Sequence, residues 1–540
     1  MKTLQYADDS TIIVNDEKSI EESLMLIENF SNISGLTLNR NKTQAIWVGC
    51  WKFKKKQIHN IAWNIYPDNK LKVLGLYLKG DKLMHQIPEN WESKIVKCEN
   101  IIKSWRNRNL SIAGKIILAK SLLTSQFVYV MQATILPSTV IKRINTLLFK
   151  FIWCKQDIYK EDELKHVTER VKRTSIIQKH ENQGLNMIDM DCMQISLAIN
   201  WVKRLKETGN GSWKHIIKFH LNKICPNLGI LKSNTHFDKL RGLDKTLPYF
   251  CMQLLKIWTK ELFRNDELTC ENSTQLIWNN NLITYKNSVI YIKRWINCGI
   301  VYVSEIINEN GQIDYGKITR KIPDSPLTRF ELNIVTNAFR NIDGNIKIMN
   351  IDESLYIRNK SLAKWKSQDI RQLAQYDKKE MKNNLTVNNI NYSNKKDVWC
   401  LSSNITKEGR LISMQWKILH GIYTSNAYLF KIKVKDSPMC MTCNVLDTVS
   451  HYFVHCIKVT EVWKQVQNDI SIMSGKNIIL TEENKILGLV EKLNMSKEQA
   501  SKANLLILLS KLSIHKCKCK CEGDIKMTYE YEKHVRNLKN

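Results

Sequence analysis

Two sets of side chains in this sequence have the types and spacing for chemistry. Near the N-terminus, Tyr6-Ala7-Asp8-Asp9 lies between Leu4 and the apolar run Ile12-Ile13-Val14. Adjacent carboxylates at the turn of a predicted β-hairpin offer hard oxygen ligands, which suit Mg²⁺. Ions held on such carboxylates can clamp the attacking and leaving oxygens of nucleotidyl transfer. The same pair also reads as a solvated turn, because aspartate is a common turn residue. The second set is Cys440-x2-Cys443-x7-His451-x4-Cys456, three thiolates and one imidazole. Zinc takes four such ligands as a tetrahedron, and Cys-x2-Cys lets one turn present two sulfurs. A closed set leaves no position for water, so the ion would be structural. His455, four residues after His451, is an alternative to Cys456 as the fourth ligand.

The elements around the aspartates follow from local signals. Ser19-Ile20-Glu21-Glu22 has the form of a capping box opening a helix. Ile20, Leu24 and Ile27 share one face of it, and Leu26, Phe30 and Ile33 widen that face. Gly35 stands where a helix end takes a left-handed residue. Leu36-Thr37-Leu38, a polar turn Asn39-Arg40-Asn41-Lys42, the run Ala45-Ile46-Trp47-Val48 and the run Val73 to Leu78 come next. This order of hairpin, helix, turn and strands resembles the back half of a reverse-transcriptase palm of the LINE-type (non-LTR) retrotransposon family. Tyr6-Ala7-Asp8-Asp9 matches its metal-binding hairpin. Phe30 to Thr43 matches its "F-x-x-x-S-G-L-x-x-N-x-x-K-T/S", and Leu74-Gly75-Leu76-Tyr77-Leu78 looks like the hairpin that holds the primer end. The resemblance implies an RNA-directed DNA polymerase using Mg²⁺ on Asp8, the primary ligand, and Asp9, with Lys42 near the incoming phosphates. A reverse transcriptase takes a further aspartate and its fingers from upstream, and the chain begins five residues before Tyr6. Residues 1–85 are therefore expected to be a truncated palm, inactive alone.

After residue 85 the pattern turns helical. Trp91, Ile95, Cys98, Ile102 and Trp105 alternate spacings of four and three, with Lys94, Lys97 and Lys103 on other flanks. Ser111 can cap a second helix running towards Val130, and Pro137 precedes a third ending near Trp153. Leu110-Ser111-Ile112-Ala113-Gly114-Lys115 resembles the family's "L-S-x-x-G-K", which implies a thumb over residues 86–155. The chain carries 82 Lys+Arg against 52 Asp+Glu, a net +30. The stretch 51–120 alone has 15 Lys+Arg and 5 Asp+Glu, a net +10. That excess suits a surface tracking phosphates, with Lys94, Lys97, Lys103 and Lys115 as contacts. Coding bias towards Lys, Asn and Ile is the rival source of the charge.

Residues 156–376 are expected to be a mainly helical connector. Gln183-Gly184-Leu185-Asn186-Met187-Ile188-Asp189 looks like the family's "G-G-L-x-x-x-D", with Gln183 in place of the first glycine. The many Trp and Tyr side chains at helical spacing read as core. A polar linker, 377–397, leads to a zinc-binding domain, 398–475. Its order Trp416-x2-Leu419-His420-Gly421, Asn426, Leu429, the Cys/His set and Val462-Trp463 resembles the zinc-binding domain that ends LINE-type reverse transcriptases. Residues 476–540 read as a basic tail, where Cys517, Cys519 and Cys521 alternate with lysines at spacers too short for a second zinc.

The expected architecture is α+β: a partial palm, thumb and connector helices, and a small zinc domain. No run of about 18 apolar residues marks a membrane span. Fifteen scattered cysteines fit reduced thiols in an intracellular protein, nuclear or cytoplasmic and not secreted. The expected partners are RNA and DNA, as part of a retrotransposon reverse transcriptase. The alternative is a zinc-stabilised, basic RNA- or DNA-binding protein with no polymerase role.

Overall fold

The computed structural model describes residues 2–59, 61–80, 82–154, 167–209, 211–243, 247–260, 274–340, 354–358, 360–378, 386–387, 390–391, 396–489, 495–519 and 524–537. The fold is α+β. Helices dominate, and every sheet among the described residues is a two-stranded one. The chain divides into two compact units, residues 1–101 with 125–141, and residues 102–124 with 142–540. Most of the expected linker lies outside the described residues.

In the first unit, strands Lys2–Tyr6 and Asp9–Ile13 pair antiparallel with Tyr6 opposite Asp9. The helix Glu17–Ser34 follows, ending at Gly35 with φ 73°. Its N-terminus differs from the expected capping box. Asp16 is the cap, accepting the Ser19 N–H at 2.7 Å, because an ionised aspartate three residues earlier reaches that donor first. Ile20, Leu24 and Ile27 are half-buried as expected, whereas Leu26, Phe30 and Ile33 are exposed by 59, 58 and 88%. Strands Gln44–Ile46 and Ala62–Asn64 pair in parallel, with Trp47 stacked on Trp63 at 4.5 Å. Strands Lys70–Val73 and Leu76–Lys79 form a second hairpin. Its turn residues Leu74 and Gly75 both have positive φ, 47° and 81°, the geometry that matches the twist of a tight hairpin. Buried Asn90 pins this hairpin, donating to the Tyr77 carbonyl at 3.0 Å and accepting the Tyr77 N–H at 2.7 Å.

The helix Glu89–Arg106 buries Trp91, Ile95, Cys98 and Ile102 on the predicted face. The helices Ile112–Leu118, Ser125–Ala133 and Ser138–Trp153 follow, the first capped by Ser111 as expected and continued by a π turn, Ala119–Leu123. The helices expected as one thumb are thus shared between the two units.

The second unit is organised around the Gln183-Gly184 turn. Gln183 is left-handed, φ 69°, and a Cβ on Gly184 would meet the Gln178 carbonyl oxygen at 2.0 Å. Asp189 then caps the helix Met190–Lys206 by accepting the Asp191 and Cys192 N–H groups. Far along the chain, Trp416 and His420 on the helix Gly409–Leu419 and its C-cap both bond the Gln183 carbonyl. The helix starting at Gly409 also packs closely on the one starting at Ile112. A Cβ on Gly409 would approach Ser111 Oγ to 2.8 Å, and the Ala113 N–H donates to Ser413 Oγ. Within the connector, Trp278 and Trp295 centre an apolar cluster, which is the core role expected of such residues.

The stretch expected as a basic tail is instead structured where it is described. Lys497–Cys519 and Asp524–Arg536 are helices, and Ile507, Leu508, Leu512, Ile514 and Cys517 are buried. A helix apolar around most of its circumference must be covered, and Thr460–Ser474 helps to cover it. The lysines 516 and 518 fall in its last turn, where cations suit the helix dipole. Cys521 lies outside the described residues.

Lys511 is fully buried in that helix, donating to Gln415 Oε1 at 2.8 Å and the Ile486 carbonyl at 2.7 Å. Burial pushes its ammonium down to about 7, from an ordinary 10.5. The unfolded chain therefore binds one more proton than the folded chain between those two values. Stability from this group rises with pH across that window and is least below about pH 7. The wild-type stability minus that of Lys511→Met is expected to climb between pH 7 and 10, with a slope approaching about 1.4 kcal/mol per pH unit. Thermal or urea unfolding of both proteins across that range checks it; parallel pH curves would show that Lys511 stays charged inside.

Candidate metal centre and aspartate cleft

The Cys/His set expected to bind zinc is assembled by two local structures. The first is a knuckle at Cys440–Val445. The Cys440 N–H donates to the Val445 carbonyl at 2.8 Å, the Asn444 N–H returns to the Cys440 carbonyl at 2.9 Å, and Asn444 is left-handed at φ 52°. Such a turn aims Cys440 and Cys443 the same way. The second is a single π turn, His451–His455, closed by the Cys456 N–H on the His451 carbonyl at 2.9 Å. Cys456 leaves the turn extended, at φ −64° and ψ 131°, and its sulfur joins the His451 ring in the cluster, whereas His455 is exposed.

Cys440, Cys443, His451 and Cys456 each offer a ligand atom, and these atoms lie within 4.8 Å of one another. Cys443 and Cys456 sulfurs are 3.8 Å apart. Two sulfurs on one tetrahedral zinc, each about 2.3 Å from it, would stand ~3.8 Å apart. The His451 Nε2 is buried without a hydrogen-bond partner, an orphaned acceptor that a metal would engage. Burial holds the His451 imidazole below its ordinary range, favouring the neutral, ligating form. For Cys440, burial pushes the thiol up, but the Cys443 and Thr442 N–H groups outweigh it and leave the thiol below its ordinary value. Burial keeps the Cys456 thiol raised, against the pull of the Lys458 N–H and the Lys518 ammonium. This set can hold a structural zinc ion. His455 stands apart, exposed, with Nε2 3.4 Å from Glu482.

Tyr452, Phe453 and Trp463 are buried, and Trp463 Nε1 donates to the Phe453 carbonyl at 2.6 Å, so they act as core beneath the ligands. Lys518 was not expected here. Its Nζ donates to the Tyr452 carbonyl at 2.8 Å, which places a cation by the thiolates. Nothing in its local sequence marks that role, since it depends on the final helix packing back.

The aspartates occupy a different setting. Asp8 and Asp9 are exposed, and with Tyr6, Ala7, Leu74 and Tyr129 they line an open cleft of about 560 Å³. Tyr129 Oη donates to the Leu74 carbonyl at 2.5 Å, joining the helix Ser125–Ala133 to the second hairpin turn. Sequence reasoning missed Tyr129, which lies in no local motif. Lys42 is exposed in its turn, its N–H bonded to the Asn39 carbonyl, and is not among the cleft residues.

The four lysines expected to contact phosphates are divided between the two units. Lys94 is half-buried and Lys97 exposed, one turn apart on Glu89–Arg106. Lys103 is exposed about 180° round the same helix from Lys94, at 100° per residue. Lys115 is half-buried in the second unit, donating to the Cys154 carbonyl at 2.5 Å. Elsewhere in the basic stretch, Lys54 and Lys56 are bonded to Glu17, and Lys70 to Glu89. No single described helix is long and apolar enough to cross a membrane.

Metal removal tests the centre. The purified chain is expected to carry one zinc by elemental analysis, retained in His455→Ala and lost in Cys443→Ser and Cys456→Ser. Structural zinc contributes roughly 10–16 kcal/mol of apparent free energy near neutral pH. A chelator should therefore abolish hydrogen-exchange protection around residues 438–456 while sparing the helix Met190–Lys206. Zinc kept by Cys456→Ser and lost from His455→Ala would transfer the fourth position to His455.

No family model matches the chain. Among curated proteins, it is similar to an Arabidopsis thaliana protein named "Putative ribonuclease H protein", 26% identical over 125 residues. That match spans 23% of this chain and 19% of the relative, so less than a quarter of either sequence is compared.

Proposed function

We propose that this chain is the nucleic-acid-binding C-terminal portion of a LINE-type reverse transcriptase, with structural zinc at Cys440, Cys443, His451 and Cys456. The observation that supports this most is the cleft lined by both the Asp8-Asp9 turn and the Leu74-Gly75 turn. The family resemblance assigns those two turns separately, one to metal and one to the primer end, and the chemistry needs them side by side. The ribonuclease H-named relative and the net positive charge support a function on nucleic acid. In this reading the protein is intracellular.

In that cleft, Asp8 and Asp9 would hold Mg²⁺ by oxygen ligands, and the ion supplies charge neutralisation for a transferring phosphoryl group. Leu74, Gly75 and Tyr129 would fix the height of a primer end against the carboxylates. Lys42, on an exposed turn and not among the cleft-lining residues, is the side chain that the resemblance assigns to the incoming phosphates. Among the described residues lining the cleft, only Asp8 and Asp9 bring carboxylates, one adjacent pair where a two-ion clamp draws on more than one strand. This favours a part that works with a further carboxylate. It equally supports the second reading, a zinc-stabilised binding protein whose aspartate turn is a relic.

The isolated chain is expected to bind RNA and single-stranded DNA, with affinity falling steeply as salt rises. It is not expected to extend a primer on an RNA template with Mg²⁺ or Mn²⁺. Extension abolished by Asp8→Ala would overturn the dependence on a further carboxylate. Adding in trans the palm and finger segment of a LINE-type enzyme separates the readings: template-dependent extension that needs Asp8 supports the polymerase part, and continued inactivity supports the binding protein.

A further inference from the structure

The aromatic side chains around the loop that joins strands Gln44–Ile46 and Ala62–Asn64 fall into two groups. Trp47, Trp51 and Trp63 pack on one another. Trp47 is buried, with its ring centroid 4.5 Å from that of Trp63 and 5.3 Å from that of Trp51. Trp47 Nε1 donates to the Lys56 carbonyl at 2.9 Å and Trp63 Nε1 to the Ile58 carbonyl at 2.8 Å, which fixes the returning arm of the loop. Lys54 closes over this group, 4.4 Å from the Trp51 centroid and 4.7 Å from that of Trp47, and is bonded to Glu17.

Phe53 and Tyr66 stand outside that packing. Their rings meet edge to face, with centroids 5.0 Å apart at 81°, and the residues are 57 and 37% exposed. Lys52 Nζ lies 5.1 Å from the Phe53 centroid, and Lys55 is exposed two residues beyond Phe53. The segment is anchored from below. Buried Asn69 donates from Nδ2 to the Lys52 carbonyl at 3.2 Å, and its own carbonyl accepts the Gly80 N–H at 3.1 Å. Phe53 is thereby tied to the end of the second hairpin, and a ring held in place before binding costs less to order.

Exposed rings of this kind gain by covering their apolar surface with a flat partner. The charge around them selects which one. Residues 48–69 carry four lysines and one aspartate, Asp68. A flat apolar group joined to negative charge meets both conditions, and a nucleobase on its phosphate backbone is such a group.

We propose that Phe53 and Tyr66 form a stacking platform for a base of single-stranded RNA or DNA, with Lys52 and Lys55 on the adjoining phosphates. The platform rests on the reading of the chain as a nucleic-acid binder and names one place where the strand is held. It engages a π-face and not a base edge, so it takes unpaired strand with little sequence preference.

The test uses the full zinc-loaded chain and a short fluorescent oligothymidylate, with anisotropy followed across a salt series. Phe53→Ala is expected to weaken binding about five- to thirtyfold at every salt concentration. Its log–log salt slope should match wild type, because a stack is lost and no phosphate contact is. Phe53→Leu should weaken binding as much, since it restores apolar bulk without a π-face, whereas Phe53→Trp should keep wild-type affinity. Lys55→Gln should instead flatten the slope by about 0.7. Irradiating the wild-type chain with a 5-iodouracil oligonucleotide should crosslink the peptide carrying Phe53 or Tyr66, a readout that needs no variant to fold. Unchanged affinity in Phe53→Ala, with crosslinks confined to other peptides, overturns the platform and leaves the wider reading intact. Failure of the wild-type chain to bind any oligonucleotide overturns the wider reading and the platform with it. Full binding by Phe53→Leu makes the ring ordinary apolar cover and overturns the proposal. So does weaker binding by Phe53→Ala that comes with a lowered melting temperature and no crosslink at either ring. Wild-type self-association that Phe53→Ala abolishes, with oligonucleotide binding unchanged, assigns the pair to a contact between copies and also overturns it.

Discussion

The Gln183 carbonyl is buried and accepts two hydrogen bonds, from Trp416 Nε1 at 3.0 Å and His420 Nε2 at 2.8 Å. A carbonyl only accepts, so the His420 proton sits on Nε2. This one acceptor ties a turn in the middle of the chain to a helix more than two hundred residues later. The turn itself cannot be changed freely. Gln183 is in the left-handed region, and Gly184 lies against the Gln178 and Ser175 carbonyls with no room for a side chain. Around it the polar groups close on each other. Gln178 Nε2 reaches the Gln375 carbonyl at 2.8 Å, and Gln375 Nε2 reaches the Met187 carbonyl at 3.2 Å. A buried network of this kind specifies one arrangement, because a missing member leaves an unsatisfied group costing about 1–3 kcal/mol.

That network explains why the metal segment is not an appendage. Trp416 and Gln415 are neighbours on one helix. The first holds the Gln183 turn, and the second accepts from Lys511 in the long C-terminal helix. The same C-terminal helix brings Lys518 to the Tyr452 carbonyl, behind the π turn that presents His451 and Cys456. The zinc set is therefore braced from the connector on one side and from the final helices on the other.

Much of this was legible in the sequence because local rules and tertiary needs agree. Gly35 at the helix end, Ser111 as a cap, the buried stripe from Trp91 to Ile102 and the clustering of Cys440, Cys443, His451 and Cys456 all follow from short-range chemistry. The replacement of a glycine by Gln183 was visible, but its left-handed backbone and its two distant partners were not. The helix start at Asp16 escaped because two acceptors compete for one N–H and the pattern of a capping box favoured the wrong one. The C-terminal helices escaped because alternating lysines and cysteines look like a tail, whereas the preceding run Leu505 to Leu509 decides the matter by needing cover. Of the lysines counted as one basic face, Lys94 and Lys103 stand about 180° apart around one helix and Lys115 belongs to the second unit, an arrangement that net charge over a window does not reveal.

The two candidate metal sites differ in how far their own scaffold completes them. At the zinc set, every ligand comes from a short segment whose backbone is fixed by hydrogen bonds and whose underside is packed with Phe453 and Trp463. At the cleft, the carboxylates stand on a two-stranded hairpin, an element only marginally stable unless more strands or a helix cover it. Leu4 and Tyr6 on that hairpin are exposed by 59 and 69%, and Leu26, Phe30 and Ile33 on the following helix are exposed as well. These side chains leave the hairpin and the helix after it uncovered on that part of their surface. Placing two ions for phosphoryl chemistry demands carboxylates held to within roughly 0.5 Å. A two-stranded hairpin with open apolar residues supplies less of that rigidity than the hydrogen-bonded knuckle and π turn supply to the Cys/His set.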